Sequence, residues 1–344
     1  MFMQLIPVGI IGFGRIGAEH AGWLSRCVNA RALAVADATS ARQELARARG
    51  LKVYSDISEL LADSAVEAIL VATPTAMHFE HVQLALNANK QVMVEKPMAL
   101  DLDQARRLAE LAERKGRVLS VFQNRRWDID YLTVKKHIEG GVFGKIINVE
   151  SRLSQWASCV GPAAKEYRPG WRNEAAFGGG GLFDWGSHFL DQLWLLMWPA
   201  KPVRVFAQLR GNVWSKDCDD FARVLIDFDS GAAGLVEINT TTTRPLPRWH
   251  VDGTSGSAES PYSLEFDTRE WAKLSFAAAG GLPPQNLAIA EAGLDEVAIW
   301  ERFADGKPAV SVKSVLGTMA LLDAARKSSQ RGTAIDVSGI DWEA

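Results

Sequence analysis

Short apolar runs alternate with helical patterns over the first third of the chain. The runs that predict strands are Val8–Ile11, Ala32–Ala36, Lys52–Tyr54, Ala68–Ala72, Gln91–Val94 and Val118–Phe122. Helical periodicity between them predicts helices over about residues 18–24, 57–62, 76–87 and 102–115. Regular alternation of strands and helices is typical of a doubly wound parallel sheet. We therefore predict an α/β Rossmann domain over residues 1–122.

The pattern changes after Phe122. Following a helix over about residues 128–139, apolar and polar positions alternate one by one, which predicts strands. The predicted strands are Lys145–Leu153, Pro202–Leu209, Ala222–Phe228, Ala232–Thr241 and Arg248–Asp252. Asp229–Gly231 is a hairpin signal between two of them. These features predict a second, α+β domain over residues 123–344 with a large, mostly antiparallel sheet. A C-terminal helix over about residues 313–330 is able to pack back on the first domain.

A glycine-rich motif follows the first predicted strand directly. Its six residues are Gly12, Phe13, Gly14, Arg15, Ile16 and Gly17. In a G-x-G-x-x-G loop the glycines permit a tight turn, close approach of the backbone to a pyrophosphate and close helix packing. The helical pattern begins at Ala18, so its N-terminal amides would face the phosphates. This context predicts a dinucleotide site.

Asp37 ends the second predicted strand, twenty residues beyond Gly17. An acidic residue at this place accepts hydrogen bonds from the adenosine ribose, and its charge repels a 2'-phosphate. It therefore favours NAD over NADP. The alternative is a helix-capping role, although Ser40–Gln43 offers a capping box of its own. Arg42 could accept a phosphate or lie over the adenine, so NADP stays possible.

Several polar residues fall at or just after the ends of later strands. They are Thr73, Pro74, His78, Glu95 and Lys96. Ligands of open parallel sheets bind outside the carboxyl ends of the strands, so we expect these residues at the cofactor or beside it. His78 and His81 lack the spacing of a zinc motif and no cysteine is near. We therefore predict no metal site.

A second glycine run, Gly178–Gly181, opens a helical segment that contains Asp184 and His188. The glycines let another backbone or a ligand approach closely. Residues four apart share one face of a helix, and a carboxylate beside an imidazole raises its basicity and fixes its tautomer. This pair is suited to general acid/base chemistry. The alternative is an ordinary pair on a helix surface.

Composition and charge narrow the classes of function. The 344 residues carry a net charge of −3 and no basic run, which argues against nucleic acid as a partner. No apolar stretch approaches the roughly 18–20 residues that span a bilayer, so no membrane partner is expected. Three distant cysteines fit a reducing compartment, which favours a cytoplasmic location.

Of 12 tryptophans only Trp23 precedes Phe122. The others could pack against sugars or form the core.

Taken together, these motifs resemble the Gfo/Idh/MocA family of oxidoreductases over almost the whole chain. The resemblance is carried by the loop Gly12–Gly17, by Thr73-Pro74 with His78, by Glu95-Lys96-Pro97 and by the segment Gly179–His188. It implies that Lys96, Asp184 and His188 are the catalytic set. His188 would take a hydroxyl proton, Asp184 would orient His188 or the substrate hydroxyl, and Lys96 would polarise the oxygen as it becomes a carbonyl. The family also implies an open-faced second sheet through which homodimers or homotetramers form.

Within this family the chain looks most similar to the scyllo-inositol dehydrogenases. We therefore expect a dehydrogenase that acts on a secondary hydroxyl of a cyclic polyol or sugar. The candidate substrate contacts are Asn124, Trp156, Tyr167, Trp171 and Arg172. Two alternatives stay open, namely an NAD-recycling glycosidase or epimerase and a non-catalytic sugar-sensing or NAD-sensing regulator. A sensor has no need of a general base, which the retained catalytic set provides.

Overall fold

The first sheet contains six parallel strands. The structure is a computed structural model and describes residues 5–159 and 170–343. The strands are β1 Ile6–Ile11, β2 Ala30–Ala36, β3 Lys52–Tyr54, β4 Ala68–Val71, β5 Gln91–Val94 and β6 Leu119–Val121. Their order is β3-β2-β1-β4-β5-β6, which confirms the predicted doubly wound sheet. All four residues of β4 are fully buried, as expected of a strand covered on both faces.

Helices connect these strands. They are α1 Arg15–Leu24, α2 Ser40–Ala48, α3 Ile57–Ala62, α4 His78–Asn87 and α5 Leu102–Lys115. The ends of α5 show how the sequence sets a boundary. The Asp101 carboxylate accepts the amide of Gln104 at 2.8 Å, and Gly116 closes the helix with a φ of +60°. Both signals are local, which is why the sequence predicts this helix well.

The second sheet has nine strands. They are β7 Ile146–Ser154, β8 Pro202–Arg210, β9 Phe221–Phe228, β10 Ala233–Asn239, β11 Trp249–Gly253, β12 Gly256–Glu259, β13 Ser275–Ala278, β14 Gln285–Asn286 and β15 Ile335–Asp336. Their order is β14-β13-β12-β11-β7-β10-β9-β8-β15. Among the strands of the described residues, only β7 and β10 pair in parallel, and the other pairs of this sheet are antiparallel. The predicted mostly antiparallel sheet is therefore confirmed, with the expected hairpin between β9 and β10.

The remaining helices are α6 Ile129–Glu139, α7 Ser187–Met197, α8 Thr268–Trp271, α9 Glu296–Ala304 and α10 Val312–Arg331. Helix α7 lies on β7 and β10 of the second sheet. It comes very close to β10, because a Cβ added to Gly234 would lie 2.7 Å from the Leu193 side chain. This close contact sets the distance between α7 and the sheet. The predicted residue His188 lies on α7.

The described residues form two compact units. Residues 5–124 and 294–316 form the first unit, and residues 125–159, 170–293 and 317–343 form the second. The segment 294–316, which contains α9, thus belongs with the glycine loop although it lies between β14 and β15 of the second sheet in the sequence. From Gly317 onward, α10 packs within the second unit, where the indole of Trp194 donates to Thr318 Oγ1 at 3.1 Å.

No helix in the described part of the chain is both long and apolar enough to cross a membrane.

Candidate active site

The three glycines of the loop between β1 and α1 differ in the space around each Cα atom. Gly12 has a φ of +90°, which favours glycine, and a Cβ there would lie 2.9 Å from the Ala72 carbonyl oxygen. A Cβ on Gly17 would lie 2.2 Å from the Gly12 carbonyl oxygen, so helix and loop are in close contact. A Cβ on Gly14 would meet no atom within 4 Å. The backbone at the N-terminus of α1 is therefore open to an approaching group.

The other three residues of the loop have separate surroundings. Phe13 is fully buried, and the Arg49 guanidinium lies 5.6 Å from the centre of its ring. Arg15 is exposed and pairs with Glu19 along α1, whereas Ile16 is half-buried. Any contribution of Phe13 to a cofactor site thus comes through its backbone.

Asp37 is hydrogen-bonded to the backbone of the glycine loop. Its Oδ2 accepts the amide of Phe13 at 2.7 Å, and its Oδ1 accepts both the amide and the hydroxyl of Thr39 at 2.9 and 2.7 Å. The expected capping box from Ser40 is not formed. Thr39 is the N-cap of α2, and the Gln43 side chain donates to the Asp37 carbonyl at 2.8 Å. Asp37 therefore holds the glycine loop to the start of α2, and its Oδ2, which accepts only one of these hydrogen bonds, keeps a further lone pair for a ligand hydroxyl.

Arg42 lies one turn into α2 and is only 7% exposed. A guanidinium this buried keeps its charge only with partners. Its position five residues after Asp37 agrees with both roles that the sequence left open, namely binding a phosphate and lying over the adenine.

His78 connects the loops that follow β4 and β5. Its Nε2 lies 2.8 Å from the Thr73 carbonyl oxygen and its Nδ1 lies 2.8 Å from the Pro97 carbonyl oxygen. Burial lowers the pKa of His78, and a neutral imidazole can donate to only one of these carbonyls. Both ring nitrogens face the backbone, so His78 acts on the segments that carry Thr73, Pro74 and Lys96 and does not direct its nitrogens toward a ligand.

Glu95 and Lys96 form the turn at the end of β5, and the Lys96-Pro97 peptide bond is cis. Glu95 is buried, and its Oε1 lies 2.7 Å from His20 Nε2. Its Oε2 accepts the backbone amide of Lys96 at 3.2 Å. Burial raises the pKa of Glu95, but the His20 hydrogen bond and the nearby positive groups outweigh it, so the net shift is downward. The Lys96 side chain, in contrast, is half-buried.

In the second unit, the glycine run 178–181 lies against the protein itself. The Gly180 amide donates to the Arg172 carbonyl at 2.7 Å, and a Cβ on Gly179 would lie 2.4 Å from the same oxygen. Asp219 fills the space beside Gly180, where a Cβ would lie 2.3 Å from its Oδ1. Asp219 Oδ2 accepts the amide of Leu182 at 2.7 Å. The glycines therefore admit another part of the chain, which was one of the two alternatives.

Asp184 and His188 lie at the start of one continuous helical segment. Leu182–Gly186 forms a π-helical turn that passes directly into α7, which begins at Ser187. Asp184 Oδ1 accepts from Arg172 Nε at 3.4 Å, and His188 is 4% exposed. A π-helical turn inside an α-helix often marks a functional site. The helix was predicted, whereas its π-helical start was not.

The predicted substrate contacts are divided between the two units. Arg172 lies 4.4 Å over the ring of Trp171, next to Asp184. Trp156 is 55% exposed and stands edge-on to Trp214 with 5.4 Å between ring centres. Asn124 belongs to the first unit, where its side chain donates to Glu296 at 3.3 Å. Tyr167 lies outside the described residues.

Sequence reasoning missed a buried arginine beneath α7. The Arg248 guanidinium lies between the rings of Phe189 and Trp249, at 3.7 and 4.1 Å, and donates to Gln192 at 2.6 Å. Burial lowers the pKa of Arg248 to about 10, with Asp130 opposing this shift. Phe189 and Gln192 lie within one turn of His188. No local signal marks Arg248, because its partners are far away in the sequence.

Profiles of one protein family match both parts of the chain. A profile described as an oxidoreductase family with an NAD-binding Rossmann fold matches residues 6–123, and the Gfo/Idh/MocA C-terminal domain matches residues 131–259. A scyllo-inositol 2-dehydrogenase (NAD(+)) of Bacillus subtilis is 31% identical over 259 residues, which are 73% of this chain and 72% of that protein. The chain belongs to the Gfo/Idh/MocA family.

Other Gfo/Idh/MocA relatives extend this result. A scyllo-inositol 2-dehydrogenase (NADP(+)) of B. subtilis is 29% identical over 74% of this chain and 68% of its own length. Uncharacterized oxidoreductases of Schizosaccharomyces pombe and Escherichia coli are 35% identical, but the chain spans only 55% and 60% of their lengths. Among solved structures, an NAD-binding protein from Listeria innocua is 28% identical with a TM-score of 0.85 over 97% of each chain.

The residues of the first unit fit the NAD that the family implies. Gly14 leaves open space at the N-terminus of α1, where backbone amides and the helix dipole favour an anion. Asp37 ends β2 with its carboxylate beside that loop and only 9% exposed. An acidic group there suits a ribose hydroxyl and opposes a 2'-phosphate. These two features would suit the pyrophosphate and the adenosine half of NAD.

Proposed function

We propose that this chain is an NAD-dependent oxidoreductase that transfers a hydride between nicotinamide and a secondary hydroxyl or ketone of a cyclic polyol or sugar. The observation that carries the proposal is the open N-terminus of α1 at Gly14, in a chain that also presents a lysine at the end of β5 and an Asp-His pair at the start of α7. Each of these groups has a chemical task in such a reaction.

The proposed division of work starts from the substrate hydroxyl. NAD, when bound, supplies the two-electron acceptor. His188 takes the hydroxyl proton as the C–H hydride leaves the same carbon, and a C=O double bond forms. Asp184, which already accepts from Arg172, orients His188 or the hydroxyl. Lys96 is a cationic donor to the oxygen that becomes the carbonyl. The reverse reaction uses the same groups in the opposite protonation states.

Support for a cyclic polyol or sugar comes from two sources. The B. subtilis relatives named above act on scyllo-inositol by name. In the second unit, Trp171 lies with Arg172 next to Asp184, and a ring stacked with a guanidinium offers both an apolar face and hydrogen-bond donors. We propose Trp171 and Arg172 as substrate contacts, with Asn124, Trp156 and Tyr167 as further candidates.

The test is a dehydrogenase screen of the purified protein. A panel of inositols, aldoses and glycosides is incubated with NAD and, separately, with NADP, and formation of the reduced cofactor is followed by absorbance. We expect turnover with at least one cyclic polyol or pyranose. Product formation without net NADH would instead indicate the hydride-recycling reaction of a glycosidase or epimerase. Ligand binding without any product would contradict the proposal and favour a sensor.

The proposed cofactor preference for NAD depends on Asp37. Asp37→Ala removes the charge that opposes a 2'-phosphate, so we expect a smaller ratio of the Kd for NADP to the Kd for NAD. Because Asp37 also accepts the amide of Phe13, we expect weaker binding of both cofactors. Titration of each cofactor by fluorescence measures both effects. An unchanged ratio would refute the ribose role of Asp37.

We also propose that the outward face of the second sheet is the surface through which the chain forms homodimers or homotetramers. Phe206, Leu225 and Leu235 form one cross-strand row there, and Leu225 is 43% exposed. Ion pairs flank this row, Arg204 with Asp227 on one side and Arg223 with Glu237 on the other. Leu225→Lys should shift the wild-type oligomer toward monomer in analytical ultracentrifugation. An unchanged mass would refute the role of this surface.

A further inference from the structure

His20 is a fully buried histidine in the first unit. It lies on α1, one turn after the glycine loop, and is 0% exposed. The rings of Trp23, Phe122 and Trp300 stand edge-on around it, with centres 4.6, 4.4 and 5.6 Å away. A polar ring so enclosed is stable only when its nitrogens are hydrogen-bonded. Both nitrogens of His20 have partners.

The directions of these two hydrogen bonds follow from chemistry. The indole of Trp300 lies with its Nε1 2.9 Å from His20 Nδ1, and an indole N–H can only donate. His20 Nδ1 must therefore be the acceptor, so the ring proton lies on Nε2. That proton is donated to Glu95 Oε1 at 2.7 Å. The indole N–H and the Glu95 carboxylate therefore select the same tautomer, with the ring proton on Nε2.

The chain of hydrogen bonds continues to the lysine. Glu95 Oε2 accepts the backbone amide of Lys96 at 3.2 Å, and the Glu95 amide donates to the Val71 carbonyl at 2.9 Å. Burial raises the pKa of the Glu95 carboxyl group, but the hydrogen bond from His20 and the charge of Lys96 oppose this effect, and the net shift is downward. The carboxylate thus stays ionised and bridges α1 to the turn at the end of β5.

We propose that His20 and Trp300 are positioning residues for Lys96. Trp300 donates a hydrogen bond to Nδ1 of His20 and so holds its ring, His20 holds the Glu95 carboxylate, and Glu95 holds the backbone from which Lys96 extends. The inference rests on the proposed function only for the catalytic role of Lys96. It also gives a reason for the position of α9: this helix lies between β14 and β15 of the second sheet in the sequence yet belongs to the first unit, where it supplies Trp300.

The first test is Trp300→Phe, with Trp23→Phe as the matched control. Both substitutions keep an aromatic ring beside His20, but only Trp300→Phe removes the donor to Nδ1. With ¹⁵N-labelled histidine, NMR should show the Nε2–H tautomer of His20 in all three proteins, because the Glu95 carboxylate accepts that proton. The Nδ1 resonance should keep its hydrogen-bonded chemical shift in the wild type and in Trp23→Phe and should move in Trp300→Phe, which lacks the indole donor. An unchanged Nδ1 chemical shift in Trp300→Phe would overturn the inference.

The second test measures turnover and NAD affinity separately. Trp300→Phe should lower kcat roughly three- to tenfold and leave the Kd for NAD within about twofold, because the glycine loop is unchanged. His20→Leu removes the donor to Glu95 and should have a larger effect on kcat, and His20→Gln, which keeps a donor, should restore part of it. Equal kcat in Trp300→Phe and Trp23→Phe would overturn the positioning role.

The two measurements separate the inference from the proposed function. A wild-type protein that transfers no hydride to or from any tested sugar would refute the proposed function, while the Nδ1 chemical shift of His20 in Trp300→Phe would still decide whether the hydrogen-bond chain exists. Active wild-type protein with an unchanged Nδ1 chemical shift in Trp300→Phe would refute the chain alone.

Discussion

The two glycine-rich loops of the chain each precede a helix, but they differ in what lies against them. At Gly14 a Cβ would meet no atom within 4 Å, so the N-terminus of α1 is open. At Gly180 a Cβ would lie 2.3 Å from the Asp219 carboxylate, and Leu182 donates its amide to the same carboxylate. One loop leaves room for an external anion, whereas the other is filled by a carboxyl group of the protein itself.

This difference shows that a glycine motif alone does not predict a ligand site. Glycine permits close approach, but the approaching group can be a ligand or another part of the chain. For Gly12–Gly17 the spacing and the position after β1 predict a dinucleotide loop, and the open space at Gly14 agrees with that prediction. For Gly178–Gly181 no nearby residue indicates that Asp219, which lies almost forty residues later, fills the loop. The three predictions below test this contrast between the loops, from the largest expected effect to the smallest.

Gly180→Ala should strongly destabilise the second unit. Its φ of +104° is unfavourable for alanine, and the new Cβ would displace the Asp219 carboxylate. We expect a loss of about 3 kcal/mol in the free energy of unfolding by urea. Gly231→Ala is the matched control, because its φ is +83° but a Cβ there meets nothing within 4 Å. We expect about 1 kcal/mol for the control. Equal losses would mean that Asp219 does not fill the loop.

Asp219→Asn should change how stability depends on pH. Burial, together with the nearby Asp220, raises the pKa of Asp219 from 3.8 to about 7. The unfolded chain ionises first as pH rises, so it binds fewer protons than the folded chain, and stability falls between about pH 4 and 7. We expect wild-type protein to lose about 2 kcal/mol from pH 5 to 8 relative to Asp219→Asn. Parallel pH curves of unfolding would contradict the assignment.

Gly14→Ala should affect the cofactor and not the fold. Its φ of −66° suits alanine and the Cβ touches no protein atom, so thermal stability should change little. The Cβ would occupy space that a pyrophosphate uses, and we expect NAD affinity to fall about tenfold, or about 1.4 kcal/mol. Gly22→Ala, on the same helix and equally free of contacts, is the control. Unchanged NAD binding in Gly14→Ala would remove the distinction between the loops.

Much of the first unit could be predicted because its signals are local. Buried runs such as Ala68–Val71 and the cap at Asp101 lie within a few residues of the element that they define. The short strands β12 to β15 were missed, since two to four residues show no clear period. The tryptophans were ambiguous in the sequence, and Trp194, Trp249 and Trp300 prove to be fully buried.

The parts of the candidate site that escaped prediction depend on distant partners. The sequence indicates Glu95 and Lys96 through their strand end, but His20 lies 75 residues from Glu95 and Trp300 lies 280 residues from His20. Asp37 shows the same effect. Its place after β2 was predictable, whereas its bond to the Phe13 amide depends on how β1 and β2 align. Residue type and spacing identify candidates, and tertiary contacts assign their tasks.

The most direct test of the proposed activity is a comparison of hydride transfer in Lys96→Ala, His188→Ala and wild-type protein, with NAD binding measured in parallel. The substrate is whichever polyol or sugar the wild-type protein turns over. We predict that each substitution lowers kcat on the order of a hundredfold or more and leaves the Kd for NAD nearly unchanged. Wild-type turnover in either variant would contradict the account.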